Sequence, residues 1–182
     1  TSMIYASLKT VVCWHHPLTP ICYLMFAAAG GLLGLLWLQA FLGQGQSDAF
    51  KLAVSLALAS AWGVKLVWWQ IAGANGSGST LASATGLTGL GEVRSIMPPH
   101  TSENYLQHEM GFVIARKHAR RLRLIALGLG GGLPCFLVIL HGGSTMGIGL
   151  ALLLHMAGVF VERWLFFAEA QHTVSIYYGH QH

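Results

Sequence analysis

The sequence predicts an all-α fold, a polytopic bundle of about four transmembrane helices, and three observations carry that reading. Only 9% of the 182 residues are charged and 54% are apolar, against about 25% charged in a soluble domain. Too few charges remain to clothe a water-facing surface. Residues 21–43 run without a charge, roughly 34 Å of helix, enough to cross a hydrocarbon core of about 30 Å. In lipid every backbone N–H must be satisfied internally, so such runs form helices rather than open strands.

The elements follow in order. Residues 1–16 hold a short apolar stretch, Met3 to Leu8, and then a polar turn with Trp14, His15 and His16 at its tip. The stretch reads as the end of a truncated helix, and nothing at the start resembles a signal peptide. Residues 17–72 hold two spans, at about 19–42 and 49–71. Residues 73–123 divide into a Gly/Ser/Thr/Pro-rich loop up to His100 and a basic helix from Glu103. In that helix Leu106, Met110, Val113 and Ile114 recur at helical spacing. Residues 124–170 hold two further spans, at about 124–140, containing Pro134, and 145–167. Residues 171–182 form a polar, aromatic tail.

Charge orients the bundle. The side bearing the Trp14 turn, the long loop and the C-terminus collects Lys9, Arg94, Arg116, Lys117, Arg120, Arg121 and Arg123. The opposite side has Lys51 alone. By the positive-inside rule the basic side is cytoplasmic. A competing reading has the basic helix touch a partner or anionic lipid.

Ionisable groups within spans are costly and often functional. Lys65 lies in the second span, and Glu162 and Arg163 in the fourth, all toward the basic side. Two readings stand. Lys65 and Arg163 snorkel to the surface with Glu162 as partner, or the three line a polar pocket for a redox ligand. His155 sits near mid-span and His141 at the far end. They differ by roughly 14 Å in depth, which argues against one haem shared between them and for a hydrogen-bonded interior His155. His15 and His16 are placed for proton exchange with a quinone, or else form a wet interfacial turn anchored by Trp14. Gly30, Gly31 and Gly34, and the run Gly128, Gly130, Gly131 and Gly132, are expected to permit close helix packing. Cys13, Cys22 and Cys135 are far apart and form no CxxC, so this chain alone offers no zinc or iron–sulfur site.

Several motifs fail on context. The glycines of 73–80 lack the lysine of a phosphate loop, and His108-Glu109 lacks the second histidine of a zinc protease. Asn75-Gly76-Ser77 is a glycosylation triplet on a loop read as cytoplasmic. No aromatics interleave with the basic residues, which argues against nucleic acid.

The stretch Ile4-Tyr5-Ala6-Ser7-Leu8-Lys9-Thr10-Val11, then Trp14, Thr19-Pro20 and the first span's glycines, resembles the DMSO reductase anchor subunit (DmsC-like) family. So do Ala157-Gly158, Arg163, Phe166 and His172-Thr173-Val174. Ser83-Ala84-Thr85-Gly86-Leu87, Gly91-Glu92-Val93-Arg94, Pro99-His100-Thr101, Glu103-Asn104-Tyr105-Leu106 and Glu109-Met110-Gly111-Phe112 are similar to a subgroup. That subgroup holds the anchors of cytoplasmic, membrane-bound sulfite dehydrogenases (SoeC-like). The resemblance implies the C-terminal half of an eight-helix anchor in the bacterial inner membrane. It further implies a molybdopterin catalytic subunit and a ferredoxin-like iron–sulfur subunit as partners, no haem or metal in this chain, and quinone or quinol as its redox substrate. The family's last-helix acid often follows Ala-Gly directly. Val159 stands there instead, with Glu162 a turn later.

Together these lines nominate Trp14, His15, His16, Lys65 and Arg163 for quinone binding, with no catalytic residue in this chain. Arg94, Arg116, Lys117, Arg120 and Arg121 are nominated for docking of the iron–sulfur subunit. Sulfite oxidation feeding the quinone pool is the expected reaction of the whole complex. The rivals are a DMSO or polysulfide reductase anchor running in the other direction, a haem-b cytochrome subunit, and a small-solute transporter. The last lacks the broken-helix pair and inverted repeat of many transporters.

Overall fold

The computed structural model describes residues 2–74, 81–87, 91, 93, 117–141 and 143–170. Among them all regular structure is helical. Helix α1 (Ser2–Ser7) leads through a turn to α2 (Leu18–Phe41), and α3 (Asp48–Ala74) follows. A single short turn of helix, α4, covers Leu81–Thr85. The third span, Ala119–His141, is one rod made of α5 (Ala119–Leu127), a wider π turn (Gly128–Gly132) and α6 (Leu133–His141). The final helix is α7 (Thr145–Ala168). Four helices are long and apolar enough to cross a membrane: α2, α3, the third span and α7.

The third span begins five residues before the expected 124, so Arg120, Arg121 and Arg123 lie within its first turns. The preceding part of the predicted basic helix falls outside the described residues. Local chemistry sets the other ends. Pro20 sits in the first turn of α2, where a missing N–H costs nothing. Gly43, at φ +69°, takes the left-handed conformation that closes α2. Ser47 accepts from the Phe50 N–H at 3.2 Å and opens α3. Ser144 does the same for α7 through the Gly147 N–H at 3.4 Å.

The spans form a closed ring in which α2 touches α3 and α7, while the third span touches α7 and α3. Leu33, Leu36, Val54, Leu58, Val138 and Ile148 fill the interior. Leucine, isoleucine and phenylalanine side chains such as Leu24, Leu56, Ile139 and Phe160 point outward, as expected where the solvent is lipid.

Close packing centres on one crossing. A Cβ on Gly158 would strike the Gly130 backbone and come within 2.8 Å of the Ala126 carbonyl oxygen. A Cβ on Gly131 would come within 2.9 Å of the Trp62 ring, and one on Gly130 would overlap it. Gly30 faces the His155 ring at ordinary contact distance. The expectation for Gly31, Gly34, Gly128 and Gly132 is corrected, because nothing lies within 4 Å of a Cβ built there. They sit on outward or loosely packed flanks of their helices.

Candidate functional site

One buried face of α7 carries His155, Gly158, Glu162 and Phe166, the i, i+3/4, i+7 spacing of a helix stripe. Toward the basic side this stripe becomes charged. Glu162 is fully buried, and its two oxygens are claimed by different cations. Oε1 lies 2.5 Å from Lys65 Nζ on α3, and Oε2 accepts from Arg163 Nε at 2.5 Å. Lys65 is 1% exposed, so the snorkelling reading is corrected for it. Its ammonium is held inward by Glu162 and by the Trp68 ring, whose centroid lies 3.6 Å away. Such cation–π contacts strengthen where water is excluded.

Arg163 has a different posture. Its side chain is 21% exposed, yet Nη1 and Nη2 are both buried and make no hydrogen bond. The aliphatic stem therefore carries the exposure, and the fork turns inward. Its Cζ lies 4.1 Å from the Tyr23 ring and 5.0 Å from that of Phe166. Tyr23 is close enough to interact electrostatically with the guanidinium, but no hydrogen bond of ordinary geometry forms between them. One carboxylate thus faces two cations, and the guanidinium's terminal N–H groups have the Tyr23 hydroxyl nearby but make no hydrogen bond of ordinary geometry.

Aromatic rings wall this cluster. Trp14 stacks on Phe166 at 5.1 Å and donates its indole N–H to the Phe166 carbonyl at 3.0 Å. That carbonyl belongs to the last turn of α7, where no backbone N–H remains to claim it. Trp14 is 7% exposed, so its expected place at a wet turn tip is corrected. Thr19 links the turn to α3, giving its hydroxyl hydrogen to the Trp14 carbonyl at 2.9 Å and accepting from Trp68 Nε1 at 3.1 Å. Tyr5 of α1 packs edge-on against Trp14 and stacks with Tyr23.

The sequence-nominated residues therefore separate. Lys65 and Arg163 meet through Glu162, and Trp14 reaches the same cluster through Phe166. His15 is exposed and shares its Nδ1 with the Ala6 carbonyl at 2.6 Å. His16 Nδ1 accepts from the Leu18 N–H at 3.2 Å, at the start of α2. Neither histidine is bonded to the charged cluster. Lys117, Arg120 and Arg121 are exposed at the basic end of the third span. Arg94 and Arg116 lie outside the described residues. Sequence reasoning treated Glu162 as an accessory, used Phe166 for the family resemblance alone, and passed over Tyr23, Trp68 and Trp69. The signal that could have found them is the crowding of aromatic residues at one depth with the span charges.

Deeper in the bundle, His155 shares its Nδ1 with the Gly130 carbonyl at 2.6 Å. Among the described residues no three metal-ligating side chains gather.

No protein-family profile matches the chain. No solved structure matches it. Among curated proteins, a relative is the sulfite dehydrogenase C subunit of Allochromatium vinosum (strain ATCC 17899 / DSM 180 / NBRC 103801 / NCIMB 10441 / D), 27% identical over 181 residues. The alignment takes in 98% of this chain but 55% of the relative, so the chain spans about half the length of the protein it is similar to.

Proposed function

We propose that this chain is part of the membrane anchor of a sulfite-oxidising complex and exchanges electrons with quinone at the Lys65–Glu162–Arg163 cluster. The relative's name supports the sulfite assignment. The observation that carries the quinone reading is the buried Arg163 fork, fixed through Nε by Glu162 and making no hydrogen bond of ordinary geometry at Nη1 and Nη2. A buried, charged donor without a partner is costly, and a quinone carbonyl oxygen is an acceptor of the right kind. The aromatic walls, Tyr23, Phe26 and Phe166, suit a flat apolar ring. The partly exposed Arg163 side chain forms the outer edge of this cluster, the side from which a quinone would approach out of lipid.

The stoichiometry closes without a further reactant. Sulfite and water give sulfate, two electrons and two protons, and quinone takes up two electrons and two protons to become quinol. In this reading a molybdopterin subunit oxidises sulfite and an iron–sulfur subunit relays electrons to the basic, cytoplasmic side. Within this chain Glu162 orients Arg163, and Arg163 orients the carbonyl. His15, exposed at the turn, and the half-buried His16 offer ring nitrogens for proton exchange with water. Kinship with the wider DMSO reductase anchors is part of the same proposal.

The test uses the intact complex in membranes, with sulfite oxidation read by quinone reduction and separately by a soluble dye. Arg163→Gln is expected to cut quinone-linked turnover at least tenfold and leave dye-linked turnover unchanged. Arg163→Lys, which keeps charge but loses the fork, should fall between. Normal quinone turnover in Arg163→Gln would overturn the assignment.

A further inference from the structure

A second set of orphaned donors lies beside the first, where the basic end of the third span approaches α3 and the end of α7. Trp69 is 4% exposed, and its indole N–H has no hydrogen-bond partner. Arg123 lies over the Trp69 ring, its Cζ 5.6 Å from the centroid, and its Nε is likewise buried and unpartnered. The rest of that guanidinium is anchored, with Nη2 2.9 Å from Glu169 Oε1 at the end of α7. Two buried N–H donors of different chemical type, on different helices, thus share one junction without an acceptor.

The surroundings say what kind of acceptor fits. Arg120 precedes Arg123 by three residues, one turn nearer the basic surface and on an adjoining flank of α5. Arg121 and Lys117 stand exposed beside it. Among the described residues the local balance is four cations, Lys117, Arg120, Arg121 and Arg123, against the carboxylate of Glu169. Directly below, Leu124 and Ile125 are exposed, and the outward face continues through Leu133, Phe136 and Ile139. A positive, donor-rich rim above an open apolar face matches a molecule with an anionic oxygen head and hydrocarbon tails. A free anion would satisfy the rim and leave the face below it bare.

We propose that the junction of α3 and α5 binds one anionic phospholipid. Its phosphate oxygens accept from Trp69 Nε1 and Arg123 Nε, Arg120 and Arg121 neutralise the headgroup, and its chains lie along Leu124 and Ile125. The site abuts the Arg163 cluster through Lys65, whose Nζ lies 5.4 Å from the Trp69 ring centroid, but it does not depend on the quinone reading.

The test is lipid retention by the full chain, purified in mild detergent, exchanged against defined lipids and weighed by native mass spectrometry. Wild type is expected to keep one phosphatidylglycerol through washing that strips phosphatidylcholine. Arg120→Gln with Arg121→Gln changes only exposed groups and should lower phosphatidylglycerol retention roughly tenfold or more, from the contribution of each basic residue near an anionic headgroup. Trp69→Phe keeps a ring but deletes the N–H, and should lower retention by roughly tenfold as one charge-assisted hydrogen bond is lost. Unchanged retention in the Arg120/Arg121 variant, or equal retention of phosphatidylcholine, overturns the proposal. Displacement of the lipid by millimolar inorganic phosphate overturns it in favour of an ion site. Unchanged retention with release of soluble subunits from membranes makes the basic rim a protein-docking surface instead.

Discussion

His155 on α7 shares its Nδ1 with the carbonyl of Gly130 in the third span, at 2.6 Å. A carbonyl only accepts, so Nδ1 carries the proton in this pair. The carbonyl is available because Pro134, four residues on, has no N–H to offer it. The π turn at Gly128–Gly132 ends two residues before that proline and widens the helix there. One sequence feature thus creates an unmet acceptor in a medium without water, and a second helix supplies the donor.

This relationship predicts a coupled stability effect. His155→Leu leaves the Gly130 carbonyl without its partner and should cost about 1–3 kcal/mol. Pro134→Ala restores a backbone N–H that can reach back toward Gly130. The double variant should therefore lose less than the sum of the two single losses. Thermal unfolding of all four proteins in detergent gives the coupling, and strict additivity would show that the two positions act independently.

The close crossing of α7 and the third span gives the next expectation. Gly158→Ala drives a methyl into the Gly130 backbone, where no flexible side chain can yield. The overpacking should cost about 1–3 kcal/mol. Gly34→Ala places the same methyl where nothing lies within 4 Å, and should stay within about 0.5 kcal/mol of wild type. Equal melting temperatures for the two variants would contradict the crossing geometry.

The buried charges make a third prediction, about stability rather than turnover. Glu162→Gln leaves Lys65 and Arg163 facing each other without an anion, and breaking such a buried pair costs about 3–5 kcal/mol. Removing the inner cation as well, with Lys65→Met, relieves the repulsion. The Lys65→Met/Glu162→Gln double variant should therefore melt above Glu162→Gln alone, although it carries one more substitution. A lower melting temperature for the double variant would mean that Lys65 and Glu162 stabilise the bundle by separate routes.

How far the sequence reached differs between the spans and the site. The four long helices were legible because lipid imposes length and apolarity along a continuous run, and both are local properties. Lys65, Glu162 and Arg163 were legible as charges at similar depth, but not as a bridged trio. Whether Lys65 turns outward or inward depends on α3 and α7 facing each other across the bundle interior, and no spacing within one helix reveals that. Trp14 was misplaced for a related reason. A tryptophan in a polar turn suits a membrane interface, and what draws this one inside is the end of α7, through the Phe166 carbonyl and ring. Gly158 was passed over as a contact because its neighbour, Gly130, lies on another span, while Gly31 and Gly34 carried the composition of a packing motif without a partner.

Sidedness supplies the last prediction. Lys51, the one cation assigned to the far side, is already paired with Asp48 at 2.9 Å, so that side contributes almost no uncompensated positive charge. Lys9, Lys117, Arg120 and Arg121 crowd the other. Translocation of loops rich in Lys and Arg is disfavoured, which retains them in the cytoplasm. Two exposed positions report on the two sides: Ser83 in α4, on the basic side, and Gln44, between α2 and α3. With Cys13, Cys22 and Cys135 replaced by Ala, a membrane-impermeant maleimide added to intact cells should label Gln44→Cys and spare Ser83→Cys. Permeabilised cells should label both, which establishes that each thiol is reactive. Labelling of Ser83→Cys in intact cells would invert the orientation, and with it the cytoplasmic placement proposed for the partner subunits.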